Sequence, residues 1–154
     1  PYHYSSLVIG LFGLVGASGA TASSIAGRMG DRGHERLATG SLLTLWTGAF
    51  ALMTLGSHGL TPLLVGIVAF DFGVQGVHVS NQYVIYHRHP EARSRVTSVY
   101  MTCYFVGGAV GSALSTIAWA HDRWSGVCIL GVLLGLAGLG MWLYSIVIQR
   151  QNER

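Results

Sequence analysis

The stretch Gly27-Arg28-Met29-Gly30-Asp31-Arg32-Gly33-His34-Glu35-Arg36-Leu37 decides how the rest of the chain is read. An apolar, glycine-rich run from Ser5 to Ala26 precedes it, and a second apolar run from Leu37 to Leu55 follows it. Between them lie Arg28, Asp31, Arg32, Glu35 and Arg36, with His34 as a further titratable group. Charges at the centre of a bilayer are costly, so a tight charged turn between two membrane-length runs belongs at a water interface.

Working outward, three more apolar runs follow. The reading gives five transmembrane helices, at about 5–26, 37–55, 61–83, 96–120 and 126–148. Each is close to the roughly 20 residues that a helix needs to cross the hydrocarbon core. The runs lack period-2 alternation and are about twice the length of a membrane β-strand, which excludes a barrel. The expected fold is therefore all-α, a polytopic membrane helix bundle. Composition agrees: 51% of residues are hydrophobic and 10% charged, where a soluble domain carries about a quarter charged. The 22 glycines form rows at Gly10, Gly13, Gly16 and Gly19, at Gly107 and Gly111, and at Gly131, Gly135 and Gly138. Small residues let helices approach closely in lipid.

The nine basic residues are all Arg. They cluster at the ends of apolar runs, which is a topology signal and not a nucleic-acid surface. Arg28, Arg32, Arg36, Arg88, Arg93, Arg95, Arg150 and Arg154 fall on one side of the five-span layout, and Arg123 alone on the other. The positive-inside rule makes the first side, with the C-terminus, cytoplasmic. Pro1 then lies outside, and the reading expects at least one further span upstream of it. Cys103 and Cys128 lie inside apolar runs without metal-ligand spacing and read as packing residues. His87 and His89 are two apart in a loop and do not make a metal site. No cofactor is expected.

The third run carries the chemistry. Asp71 is the only acid in the interior of a span. With Gln75, His78 and Gln82 it makes a row spaced by four, three and four, which is one helix face; Asn81 lies close by. A polar row in a membrane helix faces the protein interior or an aqueous cavity and marks an ion, proton or substrate path. Tyr100 and Tyr104, one turn apart on the fourth run, are further candidates for that path. Ser94, Thr97 and Ser98 are suited to serve the free N–H groups at its start. Trp119, Trp124 and Trp142 lie near span ends and read as interface anchors; Trp46 does not fit that explanation.

The stretch from Gly27 to Arg36 resembles the signature loop of the major facilitator superfamily, roughly G-x-L-x-D-R-x-G-R-R between two membrane helices. Gly27, Asp31 and Arg32 match in place and Met29 stands for the Leu. Gly33 comes one position early, and His34-Glu35-Arg36 holds one Arg where two basic residues are usual. Glu91-Ala92-Arg93-Ser94-Arg95 and the stretch from Tyr104 to Ser112 resemble the eleventh helix of bacterial members and the loop before it. Trp124-Ser125-Gly126-Val127 resembles the turn before the twelfth. The resemblance covers the whole chain and implies helices eight to twelve, the greater part of the C-terminal half, of an integral protein of the bacterial inner membrane.

That resemblance implies a secondary transporter with its substrate site between two six-helix halves. It looks most like proton-driven efflux permeases, antiporters of drug-like compounds or sugars. The implied partners are membrane lipid, protons, a small-molecule substrate and the missing N-terminal half. It also implies a cytoplasmic latch made of Gly27, Asp31, Arg32 and Arg36, with Asp31 meeting Arg93 or Arg95 at the start of the fourth span. A second reading is a non-transporting scaffold or sensor built on a degenerate transporter half, which would gain nothing from a mid-membrane Asp. An enzyme is not expected, because the spans hold no GxSxG, HExxH or acid pair.

Overall fold

The computed structural model describes residues 18–57, 59–88 and 90–152, and among them there is no β-strand. The helices are α1 (Ser18–Asp31), α2 (Glu35–Met53) and α3 (Leu60–Arg88), with short 3-10 turns at Thr54–Ser57 and Pro90–Ala92. The last helical stretch, Arg93–Asn152, is broken at Asp122 (φ −125°, ψ 20°) and Arg123 (φ 54°, ψ −133°). It therefore forms two helices, α4 (93–121) and α5 (124–152). Glu35–Gly56, Leu60–His87 and Pro90–Gln149 are long and apolar enough to cross a membrane, and the last of these contains the α4–α5 reversal. Most of the expected first span lies outside the described residues.

Helices suit these segments because lipid offers no partner for backbone groups, and a helix satisfies its own. The hydroxyls in α2 are satisfied in the same way. Thr39 donates to the Glu35 carbonyl at 3.0 Å, Thr44 to Gly40 at 2.8 Å and Thr47 to Leu43 at 2.8 Å. Ser98 likewise donates to the Ser94 carbonyl at 3.0 Å and Thr102 to Ser98 at 2.8 Å. The Ser98 hydroxyl thus serves a carbonyl one turn back and not the free N–H groups of the α4 start.

The charged stretch is not a loop of ten residues. Gly27 to Asp31 form the last turns of α1, and Glu35 and Arg36 open α2. Only Arg32, Gly33 and His34 make the turn. Gly33 has φ +73°, its N–H donates to the Gly30 carbonyl at 2.8 Å, and the His34 N–H donates to Met29 at 2.9 Å. This is the Schellman arrangement, which requires a left-handed residue after the helix and selects glycine there.

α2 is the hub. It runs antiparallel to α3, with Gly76 and Gly73 of α3 against Leu42 and Trp46, and Gly66 against Ala49 and Met53. It also runs antiparallel to α5, whose Gly131, Gly135 and Gly138 lie on Phe50, Thr47 and Leu43. Gly40 of α2 receives the Trp142 ring of α5. The buried hydrophobic residues are mostly small: Ala22, Ala26, Ala38, Leu42, Leu43, Ala49, Met53 and Cys128. Each glycine inside a helix costs about 0.5–1 kcal/mol against Ala, and close backbone approach is what offsets it in lipid. Phe105, Met141 and Tyr144 are 70%, 74% and 68% exposed, as expected where the surrounding solvent is apolar.

α4 packs differently. It meets α3 through Arg93, whose guanidinium lies 5.8 Å from the Tyr86 ring centre, and through Tyr100 and Tyr104 on His78. Beyond these it is largely exposed, and a Cβ at Gly107, Gly108 or Gly111 would meet nothing within 4 Å. Cys103, expected as a packing residue, is exposed on this helix, whereas Cys128 on α5 is buried.

The packing sorts the connections into two ends. The α1–α2 turn, the α3–α4 connection and the end of α5 share one end, where Gly30 lies on Tyr83 and the Trp142 Nε1–H donates to the Arg36 carbonyl at 3.1 Å. At the other end the Trp124 Nε1–H donates to the Met53 carbonyl at 2.8 Å. The Arg-bearing connections, apart from Arg123, are therefore at one end.

Candidate functional site

The polar row lies on α3, on the side turned away from α2. The glycines at 66 and 73 define the α2 side, and on a helix of 3.6 residues per turn Asp71, Gln75, His78 and Gln82 fall on roughly the opposite half. Asp71, His78 and Gln82 are half-buried and Gln75 is exposed. Phe70, next to Asp71, turns back to the α2 side and meets Phe50 and Trp46 edge-on, at 5.0 and 6.0 Å between ring centres. That contact places Trp46 in the bundle, which explains its position far from either interface.

His78 is where the row meets another helix. Its Nδ1 is hydrogen-bonded to the Tyr100 hydroxyl at 3.0 Å. Its ring stacks on Tyr100 at 5.5 Å and lies tilted against Tyr104 at 4.7 Å. The two tyrosines are one turn apart on α4, so a single imidazole lies against both. With the proton on Nε2, the Tyr100 hydroxyl donates to Nδ1; with the opposite tautomer it accepts. The fold thus brings His78, Tyr100 and Tyr104 together. It leaves Asp71 two turns, about 10 Å, along α3 from His78, level with the stretch of α4 that carries Gly107 and Gly108.

Behind Tyr100 is a hollow of about 330 Å³ at the Arg-rich end, bounded by α2, α3, α4 and α5. Glu35, Thr39, Asn81, Tyr100, Trp142 and Gln149 are among its lining residues. Of these, the spacing along the sequence singled out only Tyr100 and the neighbouring Asn81. The others come from helices far apart in sequence, and no local pattern links them.

The latch residues are divided. Asp31 lines a second hollow, of about 320 Å³, with Gly30, Gly33, Glu35, Tyr83 and His87. Arg93 lies over Tyr86, and Arg95 lines a separate hollow with Glu91 and Ser94. The Asp31 pairing with Arg93 or Arg95 that the resemblance implies is therefore not among the contacts made here. Gly27 is half-buried with open space at its Cβ position, and Arg32 and Arg36 are exposed. Among the described residues no group of three His, Cys, Asp or Glu is placed to hold a metal ion.

Apolar helices packed through glycine, with charges collected at the ends and a polar row on one helix, define an integral membrane protein of the polytopic helical class. The sequence profile of the Major Facilitator Superfamily matches residues 1–153, and the chain belongs to that family. The chain is 45% identical to the uncharacterized transporter YgaY of Escherichia coli O157:H7, over 92% of this chain and 36% of that one. It is 28% identical to a Streptomyces coelicolor protein named "Probable transporter SCO4007", over 92% of this chain and 31% of that one. It is 26% identical to the uncharacterized MFS-type transporter YybF of Bacillus subtilis, over 93% and 34%. The chain thus spans about a third of the length of these relatives. No solved structure matches it.

Proposed function

We propose that this chain is part of a secondary active transporter that exports a small molecule, a drug-like compound or a sugar, in exchange for protons. Family membership and the names of the relatives support transport; the resemblance to efflux permeases supports export. The observation that carries the coupling is Asp71. It is a half-buried carboxylate in the middle of α3, on the same face as an imidazole hydrogen-bonded to the next helix. A group that exchanges a proton for substrate must be reachable from water and yet change charge inside the membrane.

In this reading α1 to α5, with the residues before α1, correspond to helices eight to twelve. The polar row and the tyrosines of α4 form one wall of the substrate path, and the N-terminal half of the same protein supplies the facing wall. The Arg-rich end is cytoplasmic by the positive-inside rule, the C-terminus with it, and the membrane is the bacterial inner membrane. The turn around Gly33 serves as the cytoplasmic latch. Its Asp31 closes on the Arg93–Arg95 end of α4 in a state other than the one described here.

Two substitutions in the full-length protein test these proposals. Asp71→Asn abolishes proton-coupled movement of substrate in vesicles while membrane insertion stays normal; unchanged coupling removes Asp71 from the mechanism. Asp31→Asn raises the labelling of cytoplasmic-side cysteines by an impermeant thiol reagent, and unaltered labelling counts against the latch.

A further inference from the structure

The geometry points to a proton route between the polar row and the four-helix hollow at the Arg-rich end, by way of the Tyr100 hydroxyl. This rests on the proposed proton coupling and adds to it the atoms by which protons pass between the row and the cytoplasmic end, where they leave during export.

The hollow measures about 330 Å³. At the ~30 Å³ that each water occupies in the liquid, it holds on the order of ten waters. Its lining is wettable, with the Glu35 carboxylate, the Asn81 and Gln149 amides and the Tyr100 hydroxyl. The Trp142 ring, fixed by its N–H bond to the Arg36 carbonyl, forms the apolar side on α5. Tyr100 both lines this hollow and is hydrogen-bonded to His78. It therefore stands as a partition between the hollow and the polar row.

A hydroxyl in that position relays a proton without net change in itself. In the uptake direction, which a pH jump drives and which is the reverse of turnover in export, a hydronium in the hollow gives its proton to the Tyr100 oxygen. The proton already on that oxygen passes to His78 Nδ1, which accepts it when Nε2 carries the ring hydrogen. The O–H bond in hydronium breaks and a new one forms on Tyr100. The old Tyr100 O–H breaks and an N–H bond forms on His78. Water is left in the hollow and an imidazolium in the row. The Tyr100 and Tyr104 rings, 5.5 and 4.7 Å from the imidazole centre, favour that cation. The titratable and charged groups bearing on the route are Glu35 and Arg36 from α2, His78 from α3, and Tyr100 and Tyr104 from α4. Among the described hollow-lining residues, α5 contributes none.

The test is a stopped-flow pH jump on the full-length protein in lipid nanodiscs, with the proton itself as probe and the dye pyranine as reporter. The expected result is a proton-uptake phase that is absent in His78→Gln. It is slowed at least tenfold in Tyr100→Phe, which keeps the stacked ring, and in Ser145→Leu, which fills the hollow from α5. Tyr144→Phe, which removes a hydroxyl from an exposed ring of α5, leaves the rate unchanged. A wild-type rate in either Tyr100→Phe or Ser145→Leu, with the variant folded by size exclusion and tryptophan fluorescence, overturns the route. The Asp71→Asn transport experiment is read separately. Coupling lost there with a normal rate in Tyr100→Phe defeats the route and leaves the proposed function standing. Coupling kept there with a slowed rate in Tyr100→Phe does the reverse.

Discussion

Consider Gly73→Ala beside Gly48→Ala. Both replace a glycine inside a helix, one on α3 and one on α2, and both gain the same helix-propensity term of roughly 1 kcal/mol. Their surroundings differ. A Cβ at Gly73 would stand 3.0 Å from the Leu42 carbonyl oxygen, 3.1 Å from Trp46 Cβ and 3.2 Å from Trp46 N. Two of these atoms are backbone and the third is fixed to it, so no rotamer change relieves the crowding. The α2 and α3 axes must part by a few tenths of an ångström, which loosens contacts along the whole pair. Overpacking of this kind costs about 1–3 kcal/mol. A Cβ at Gly48 would meet nothing within 4 Å. The propensity term cancels between the two variants, so their difference isolates the contact. Gly73→Ala should be the less stable of the two by about 1–3 kcal/mol, and Gly48→Ala should equal or exceed the parent. Unfolding of the full-length protein in mixed micelles by SDS titration measures this. Equal stabilities would refute the claim that glycine at 73 sets the α2–α3 distance.

Two further substitutions test the other end of the bundle. Trp124→Phe deletes the N–H that reaches the Met53 carbonyl at 2.8 Å, and should cost about 1 kcal/mol with faster proteolysis at the α4–α5 turn. Normal stability and an intact turn would show that this bond does not hold the turn against α2. Arg123 is the one non-glycine among the described residues with positive φ, at 54°. Arg123→Gly should therefore stabilise the protein by about 1 kcal/mol in the same titration, since glycine takes that conformation without the Cβ penalty. A loss of stability would mean that the Arg123 side chain contributes more than the strain costs.

The apolar runs and their charged boundaries were plain in the sequence because lipid imposes one requirement on every residue of a span. The polar row from Asp71 to Gln82 was legible for the same reason: a helix period in an apolar background leaves little other explanation. Packing partners were not legible. Gly107 and Gly111 on α4 have the same spacing as Gly131 and Gly135 on α5. Yet the first pair faces open space, and the second pair lies on Phe50 and Thr47. Spacing tells which face is small and not what comes against it. The turn at Gly33 was misjudged in length, because the charges of Arg28 and Asp31 read as loop although their backbone continues α1. Exposure of a helix end to water satisfies those charges as well as a loop would.

The hollow behind Tyr100 was out of reach for a different reason. Its walls come from residues as far apart as Glu35 and Gln149, so only the tertiary arrangement assembles it. That arrangement follows from the two contact types of the bundle. Glycine lets α2 approach α3 and α5 closely, whereas α4 stands against α3 through rings: Tyr100 and Tyr104 on His78, with Arg93 on Tyr86. Rings hold helices further apart than glycines do. A bundle with α2 pulled in and α4 propped out leaves a gap where α2, α3, α4 and α5 converge, and the hollow lies there. The same side chains that prop α4 also close the gap on the side of the polar row. Shrinking Tyr100 would thus open the partition and shift the helix together, whereas Tyr100→Phe changes only the hydroxyl. That is why the conservative substitution is the informative one for the route, and why a larger truncation at this position would mix two effects.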